Sequence, residues 1–166
     1  MPLQHILVPV DFSPRSRHAL RYALALAARW PASIQALHVV PPPLRLELAF
    51  DAWLGRPMPR TSQEAIDRAE EQLSLLITSL PIDDVVVRPR IEPGDPAATI
   101  VRVATEDALD LILIGTRART GISEWLLGSV AKTVLSCAPC PVLTLRGDEL
   151  GAHPPQERDQ TLFGGR

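Results

Sequence analysis

Apolar and polar residues follow one another along this chain in short blocks, and the type of block changes in a regular order. "QHILVPV" (4–10) is a short apolar run followed by Asp11, Ser13 and Pro14. Such a run predicts a buried strand, with Ser13 as a helix cap and Pro14 at the first helical position. "PRSRHALRYALALAARW" (14–30) repeats Ala19, Leu20, Ala23, Leu24 and Ala27 at three- and four-residue spacing, an amphipathic helix stopped at Pro31. "SIQALHVV" (33–40) reads as a second strand, ended by Pro41, Pro42 and Pro43. The helical pattern resumes in "TSQEAIDRAEEQLSLLITSL" (61–80), with Ala65, Ala69, Leu73, Leu76 and Leu80 on one face and Thr61 and Glu64 at capping-box spacing. "DVVVRPRIEPG" (84–94) is a valine-rich third strand, placed at a sheet edge by Pro89. A short helix, "DPAATIVRVATED", follows, capped by Asp95 with Pro96 at its first position. "LDLILIG" is a fourth strand, 124–138 a fourth helix and "PVLTLR" a fifth strand.

Strands that are nearly continuous in apolar character are covered on both faces. Their regular alternation with helices therefore predicts an α/β fold: an open, five-stranded, parallel, doubly wound sheet with helices on both faces. In such sheets ligands bind beyond the carboxyl ends of the strands, where strand order reverses. That rule selects three loops: Pro9 to Ser13, Val39 to Pro43, and Gly115 onward. Residues 41–60 stand apart, with five prolines among Leu44, Leu46, Leu48, Phe50, Trp53 and Leu54. A loop of this length and apolarity either contacts a partner or folds over its own core. The domain is expected to span 1–146, and the tail 147–166, which has little apolar periodicity, is expected to be mobile.

Composition narrows the function classes. The chain has 166 residues, 46% hydrophobic and 22% charged, with a net charge of −2. It is long enough for one buried core and carries no global field for nucleic acid or an anionic membrane. No apolar run approaches the roughly 20 residues of a membrane span. The start lacks the basic and apolar regions of a secretory signal, and two cysteines build no disulfide scaffold, so the expected location is cytoplasmic.

The stretch "LILIGTRARTGISEWLLGSVAKTVL" (111–135) puts two arginines and three glycines between a strand and a helix. Exposed backbone N–H groups and the positive end of the helix dipole there would attract phosphate, with Arg117 and Arg119 adding charge. The glycines can equally be ordinary turn residues. Neither a P-loop nor a G-x-G-x-x-G fingerprint is present.

With "ILVPVDFS" at its start, "HVV" ending the second strand and "PVLTLR" at its end, the chain resembles the universal stress protein family over about residues 3–146. Nucleotide-binding members of that family carry glycine, two residues, glycine, nine residues, then glycine and serine or threonine. Here the pattern reads Gly115, two residues, Ala118, nine residues, Gly128-Ser129. The resemblance implies a Rossmann-like sheet of the adenine nucleotide alpha hydrolase-like kind. It also implies a bound ATP or other adenine nucleotide, which Mg²⁺ could accompany. Asp11, beside Pro9 and Val10, would meet ribose or adenine, and Val39 would meet adenine through its backbone. Ile114, Gly115 and Arg117 would border ribose and phosphates, with Ala118 and Arg119 following. Gly128, Ser129 and Val130 would hold the phosphates. Each has a plainer alternative: Asp11 as a turn-capping carboxylate, Val39 and Val130 as core, Ser129 as an ordinary helical serine. Ala118 departs from the pattern, and forcing alanine into a left-handed conformation costs about 1–2 kcal/mol.

The remaining chemistry is thin. Cys137 and Cys140 have redox spacing but follow a helix, at the end that disfavours a thiolate, so they read as packing residues. His5, His18, His38 and His153 fall in no triad or metal spacing. A final strand at a sheet edge exposes unpaired backbone. In this family the last strands of two subunits pair, so a homodimer through Pro141, Val142, Leu143, Thr144 and Leu145 is implied. The reading is a nucleotide-binding regulatory or stress-tolerance factor with an unidentified regulatory protein partner. Its rivals are an interaction dimer that binds no nucleotide and a slow ATPase or autophosphorylating protein with Ser129 or Thr120 as acceptor.

Overall fold

A computed structural model describes residues 3–42, 62–81, 84–117 and 128–147. The proline-rich 43–61 stretch, Ala118 to Leu127 and the tail after Gly147 lie outside the described residues, so the expectations placed on them stand as stated. The elements run β1 (His5–Pro9), α1 (Pro14–Arg29), β2 (Ser33–Val40), α2 (Ser62–Thr78) and β3 (Val87–Pro93), then α3 (Pro96–Glu106), β4 (Leu111–Arg117), α4 (Ser129–Cys137) and β5 (Val142–Gly147).

The caps are those the local sequence dictates. The side chain of Ser13 accepts from the Ser16 N–H at the start of α1, and that of Asp95 accepts from the Ala98 N–H at the start of α3. Each helix carries proline at its opening, where no intrahelical acceptor is needed. The first described residue of α4 is preceded by Gly128, which offers no capping side chain.

The five strands form one sheet in the order β3-β2-β1-β4-β5, every neighbouring pair parallel. Pro89 pairs with Ala36 in β3, an edge strand, as its missing N–H requires. Helices α1 and α2 cover one face, where Ala19, Leu20, Ala23, Leu73 and Leu76 pack on Ile6, Val8 and Ile34. Helices α3 and α4 cover the other, where Ile100, Val103 and Val134 pack on Leu7, Leu37 and Ile112. Burying each of these aliphatic side chains is worth about 1.5–3 kcal/mol. The strands β3 and β5 are more exposed than the uniform apolar reading predicts, because each is an edge with a neighbour on one side only.

At the amino ends of the strands, the Asp110 carboxylate accepts from the backbone N–H groups of Gln4 and His5, each at 2.9 Å, tying β1 to β4. An ion-pair network joins β3 to α3: Arg90 contacts Glu92 and Asp107, and Arg102 contacts Glu92 and Glu106. The order reverses between β1 and β4, and the crevice beyond their carboxyl ends is where a doubly wound sheet receives its ligand.

Candidate functional site

A cavity of about 630 Å³ opens at that reversal point, within the range of small-molecule sites. Strand order lays out its walls in sequence. Over β2 the wall is apolar, made by Leu37 and Val39 with Pro96 and Ile100 from the start of α3. Over β1 it is polar, made by Asp11 and the first turn of α1, Arg15 and Ser16. On the far side lie Ile114, Gly115 and Thr116 at the end of β4, then Gly128, Ser129, Val130 and Ala131 at the start of α4. From β2 to β4 is two strand spacings, about 10 Å.

Each wall has a local cause. Among the described residues the α4 N-terminus has no side-chain cap. Its first intrahelical bond runs from the Lys132 N–H to the Gly128 carbonyl at 3.0 Å. The backbone N–H groups of Ser129, Val130 and Ala131 therefore have no intrahelical acceptor, and they carry the positive end of the helix dipole. A Cβ added to Gly128 would meet none of the described residues within 4 Å. Gly115 is small for a different reason. A Cβ on it would lie 2.5 Å from the Arg15 carbonyl oxygen and 2.7 Å from the carbonyl carbon. Glycine at 115 lets the first turn of α1 lie directly on β4, a packing role that neither the phosphate-site nor the turn-glycine reading of this residue had foreseen.

Asp11 sits on a constrained turn. Its Oδ1 accepts from the Ser13 N–H at 3.0 Å and from the Ser13 hydroxyl at 2.5 Å, while its own N–H donates to Ser16 Oγ at 3.3 Å. Burial opposes ionisation of this carboxyl. The hydrogen bonds from Ser13 and Ser16 and the charge of Arg15 outweigh it, and the pKa lies below the usual aspartate value. Phe12 next to it has φ +59°, a left-handed conformation that costs a non-glycine residue about 1–2 kcal/mol. Asp11 is the only carboxylate on the cavity among the described residues.

Of the residues singled out from sequence, Pro9, Val10, Asp11, Val39, Ile114, Gly115, Gly128, Ser129 and Val130 all line this one cavity. Arg117 ends β4, but its side chain, like Ala118 and Arg119, lies outside what the structure describes. Sequence reasoning missed Arg15, Ser16, Leu37, Thr116, Pro96, Ile100 and Ala131. Arg15 and Ser16 follow the selected Pro9–Ser13 loop directly, so extending it by one helical turn finds them. Pro96 and Ile100 carry no such signal, because α3 reaches the cavity only through the packing of its first turn.

The arrangement suits a ligand with a flat apolar end, a hydroxylated middle and an anionic end. An apolar wall, a carboxylate acceptor and uncapped N–H groups follow one another along it. Among the described residues no group of three or more His, Cys, Asp or Glu could hold a metal ion, and no helix is long and apolar enough to cross a membrane.

Comparison with known proteins places the chain in a family. Residues 2–146 match the universal stress protein family. A universal stress protein of Methanocaldococcus jannaschii is 31% identical over 144 residues, covering 85% of this chain and 81% of the relative. Among solved structures, UspA of Lactobacillus plantarum superposes with a TM-score of 0.59 at 27% identity, covering 88% of this chain and 99% of its own. The universal stress protein of Archaeoglobus fulgidus in complex with dAMP superposes with a TM-score of 0.61 at 26% identity, covering 87% and 98%. With the parallel sheet shared with these structures and a family match over nearly all the described residues, the chain belongs to the universal stress protein family.

Proposed function

We propose that this protein binds an adenine nucleotide in the crevice between β1 and β4 and acts in the cytoplasm as a regulatory or stress-tolerance factor. One observation carries the reading: an apolar wall over β2, the Asp11 carboxylate over β1 and the uncapped start of α4 beyond β4 line a single cavity. Their order is that of base, ribose and phosphate. The related Archaeoglobus fulgidus protein was solved with dAMP, which supports the same class of ligand here. Adenine packs against Val39 and Leu37, Asp11 accepts from the ribose hydroxyls, and the N–H groups of Ser129 and Val130 receive phosphate. The family resemblance extends the phosphate wall to Arg117, Ala118 and Arg119. With Asp11 as the only described carboxylate on the cavity, Mg²⁺ accompanying a triphosphate is held mainly through the phosphates. Bound nucleotide changes the surface around the start of α4, and that change reports nucleotide state to a protein partner.

Calorimetric titration with AMP, ADP and ATP tests this, on the natural chain and on Ala118→Gly. Saturable binding of at least one nucleotide, tightened in the glycine variant, is the expected result. The absence of binding to both proteins refutes the proposal. It favours a second reading that rests on Ala118, a family member that works as an interaction dimer without nucleotide. In either case two copies pair through the exposed edge of β5, from Pro141 to Leu145. Light scattering should give a dimer mass, and a monomer mass at every concentration removes that part. Turnover is a separate question: γ-labelled ATP that yields neither free phosphate nor labelled protein above a blank excludes a slow ATPase or autophosphorylation.

A further inference from the structure

The cavity lies on the α3 and α4 side of the sheet, yet the turn that presents Asp11 is fastened from the other side. Side chains alternate along β2, so Leu37 and Val39 face the cavity while His38 between them faces the side covered by α1 and α2. There His38 Nδ1 lies 2.7 Å from the Val10 carbonyl oxygen. A carbonyl oxygen only accepts, so this ring nitrogen carries the proton. The His38 ring also packs on Phe12, with centroids 4.4 Å apart and planes tilted by 37°. Paired residues of β1 and β2 end at Pro9 and Leu37. One residue on, the Val10 N–H still donates to the Leu37 carbonyl at 2.8 Å, and its carbonyl is taken by the imidazole. A side chain thus supplies the donor where the regular pairing stops, and the chain is free to turn sharply at Asp11.

Phe12 pays for that turn with its left-handed backbone, φ +59°, so something must hold it there. The two contacts of His38 grip the residues on either side of Asp11: Val10 by the hydrogen bond and Phe12 by the ring. We propose that His38 is a positioning residue for the ligand site. It clasps the Val10–Ser13 turn so that the Asp11 carboxylate is set before the ligand arrives. The proposal rests on the nucleotide reading of the cavity. His38 touches no ligand. It acts through Asp11, and its loss is felt as lost preorganisation rather than a lost contact.

Three substitutions separate the two grips. His38→Asn keeps an N–H donor near the position of Nδ1 and loses the ring; His38→Phe keeps a ring and loses the donor; His38→Ala loses both. Amide exchange at Asp11, whose N–H donates to Ser16 Oγ, is read by NMR on ligand-free protein with the melting temperature alongside. AMP affinity is then measured for each variant, for Asp11→Ala, and for Asp11→Ala combined with each His38 change. The expected result is faster Asp11 exchange and about tenfold weaker AMP binding in His38→Ala, the net worth of one hydrogen bond and its alignment. His38→Asn should recover most of both, and the change at His38 should cost nothing further once Asp11 is gone. If His38→Ala does not fold, the Asn and Phe variants carry the same comparison. Unchanged Asp11 exchange overturns the proposal, and so do losses that add fully in the double variants. If the natural protein binds no AMP, the nucleotide reading fails by itself. The clasp is still judged by whether exchange at Asp11 rises without the imidazole and falls again with asparagine.

Discussion

Gly115 and Gly128 occupy two positions of one family motif, yet the structure gives them opposite physical roles, and a methyl group at each should show it. At position 115 a Cβ would stand 2.5 Å from the Arg15 carbonyl oxygen, about 1 Å inside an ordinary contact. The obstacle is backbone in the first turn of α1, which cannot rotate aside as a flexible side chain would. Overpacking of this kind costs about 1–3 kcal/mol, and the stiffer unfolded chain of alanine returns about 0.4–1 kcal/mol. The net is a destabilisation of about 1–2 kcal/mol, or a fall in Tm of roughly 2–8 °C for a chain of this size. At position 128 the added methyl meets none of the described residues within 4 Å. Alanine is a poorer N-cap than glycine, but it also restricts the unfolded chain, and these opposing effects leave Gly128→Ala within about 1 kcal/mol of the natural protein. Its methyl instead crowds the lip where an anion approaches the α4 N–H groups. Scanning calorimetry and AMP titration on the same preparations decide the matter. Gly115→Ala should melt earlier, and Gly128→Ala should melt normally and bind more weakly. A Gly115→Ala protein that melts with the natural one and loses only affinity would refute the packing role assigned to Gly115.

Acid should weaken the fold through Asp11 and Asp110. Backbone N–H groups of Gln4 and His5 hold the Asp110 carboxyl below its usual value of 3.8, and Asp11 lies below its own usual value despite burial. A carboxyl with a depressed native pKa adds stability above the unfolded value and loses it as pH falls through the native one. Asp110→Ala should therefore flatten the decline of stability below about pH 4, with faster amide exchange at Gln4 and His5; an unaltered acid limb removes this account. The cysteines should separate under iodoacetamide. Cys137 is exposed, whereas burial and then the nearby Asp110 charge push the Cys140 thiol up, so peptide mapping should find Cys137 alkylated first, and the reverse order contradicts the placement. Arg90→Ala should cost less than about 1 kcal/mol in chemical denaturation, since the Arg90 ion pairs are half-exposed; a larger loss would mean the network fastens α3 to β3 more firmly than its exposure implies.

How far the sequence could be read depended on how local the responsible interaction was. Ser13-Pro14 and Asp95-Pro96 announce α1 and α3 because a cap and its helix are neighbours in the chain, and both caps form as the pattern requires. The edge position of β3 was written in Pro89, since a residue without an N–H sits most readily on a strand flanked on one side only. The bounds of β1 and β4 shifted by one or two residues because apolar character does not stop where pairing stops. What the linear pattern could not carry were contacts between distant segments. The reason for Gly115 lies one hundred residues away at Arg15. His38, which looked like one scattered histidine among four, has its role fixed by Val10 and Phe12 across a strand boundary.

These long-range contacts share one location, which bears on how the site works. Gly115 admits α1 onto β4, Ser16 of that helix accepts from the Asp11 N–H, and His38 holds the two residues that flank Asp11. The polar wall over β1 is thus held from β4, from α1 and from β2 at once. The opposite wall, at Gly128, has among the described residues no capping side chain and no atom within reach of an added Cβ. On the nucleotide reading proposed above, such a site divides its labour: the held half selects the ligand by the shape and donors it offers Asp11, and the α4 end takes the anion that follows. Variation between adenine nucleotides of different phosphate length should then be tolerated at the α4 end, while substitutions in the Asp11 turn should weaken AMP, ADP and ATP by the same factor. Unequal losses across the three would mean that the Asp11 turn and the start of α4 act as one unit, and the division would fail.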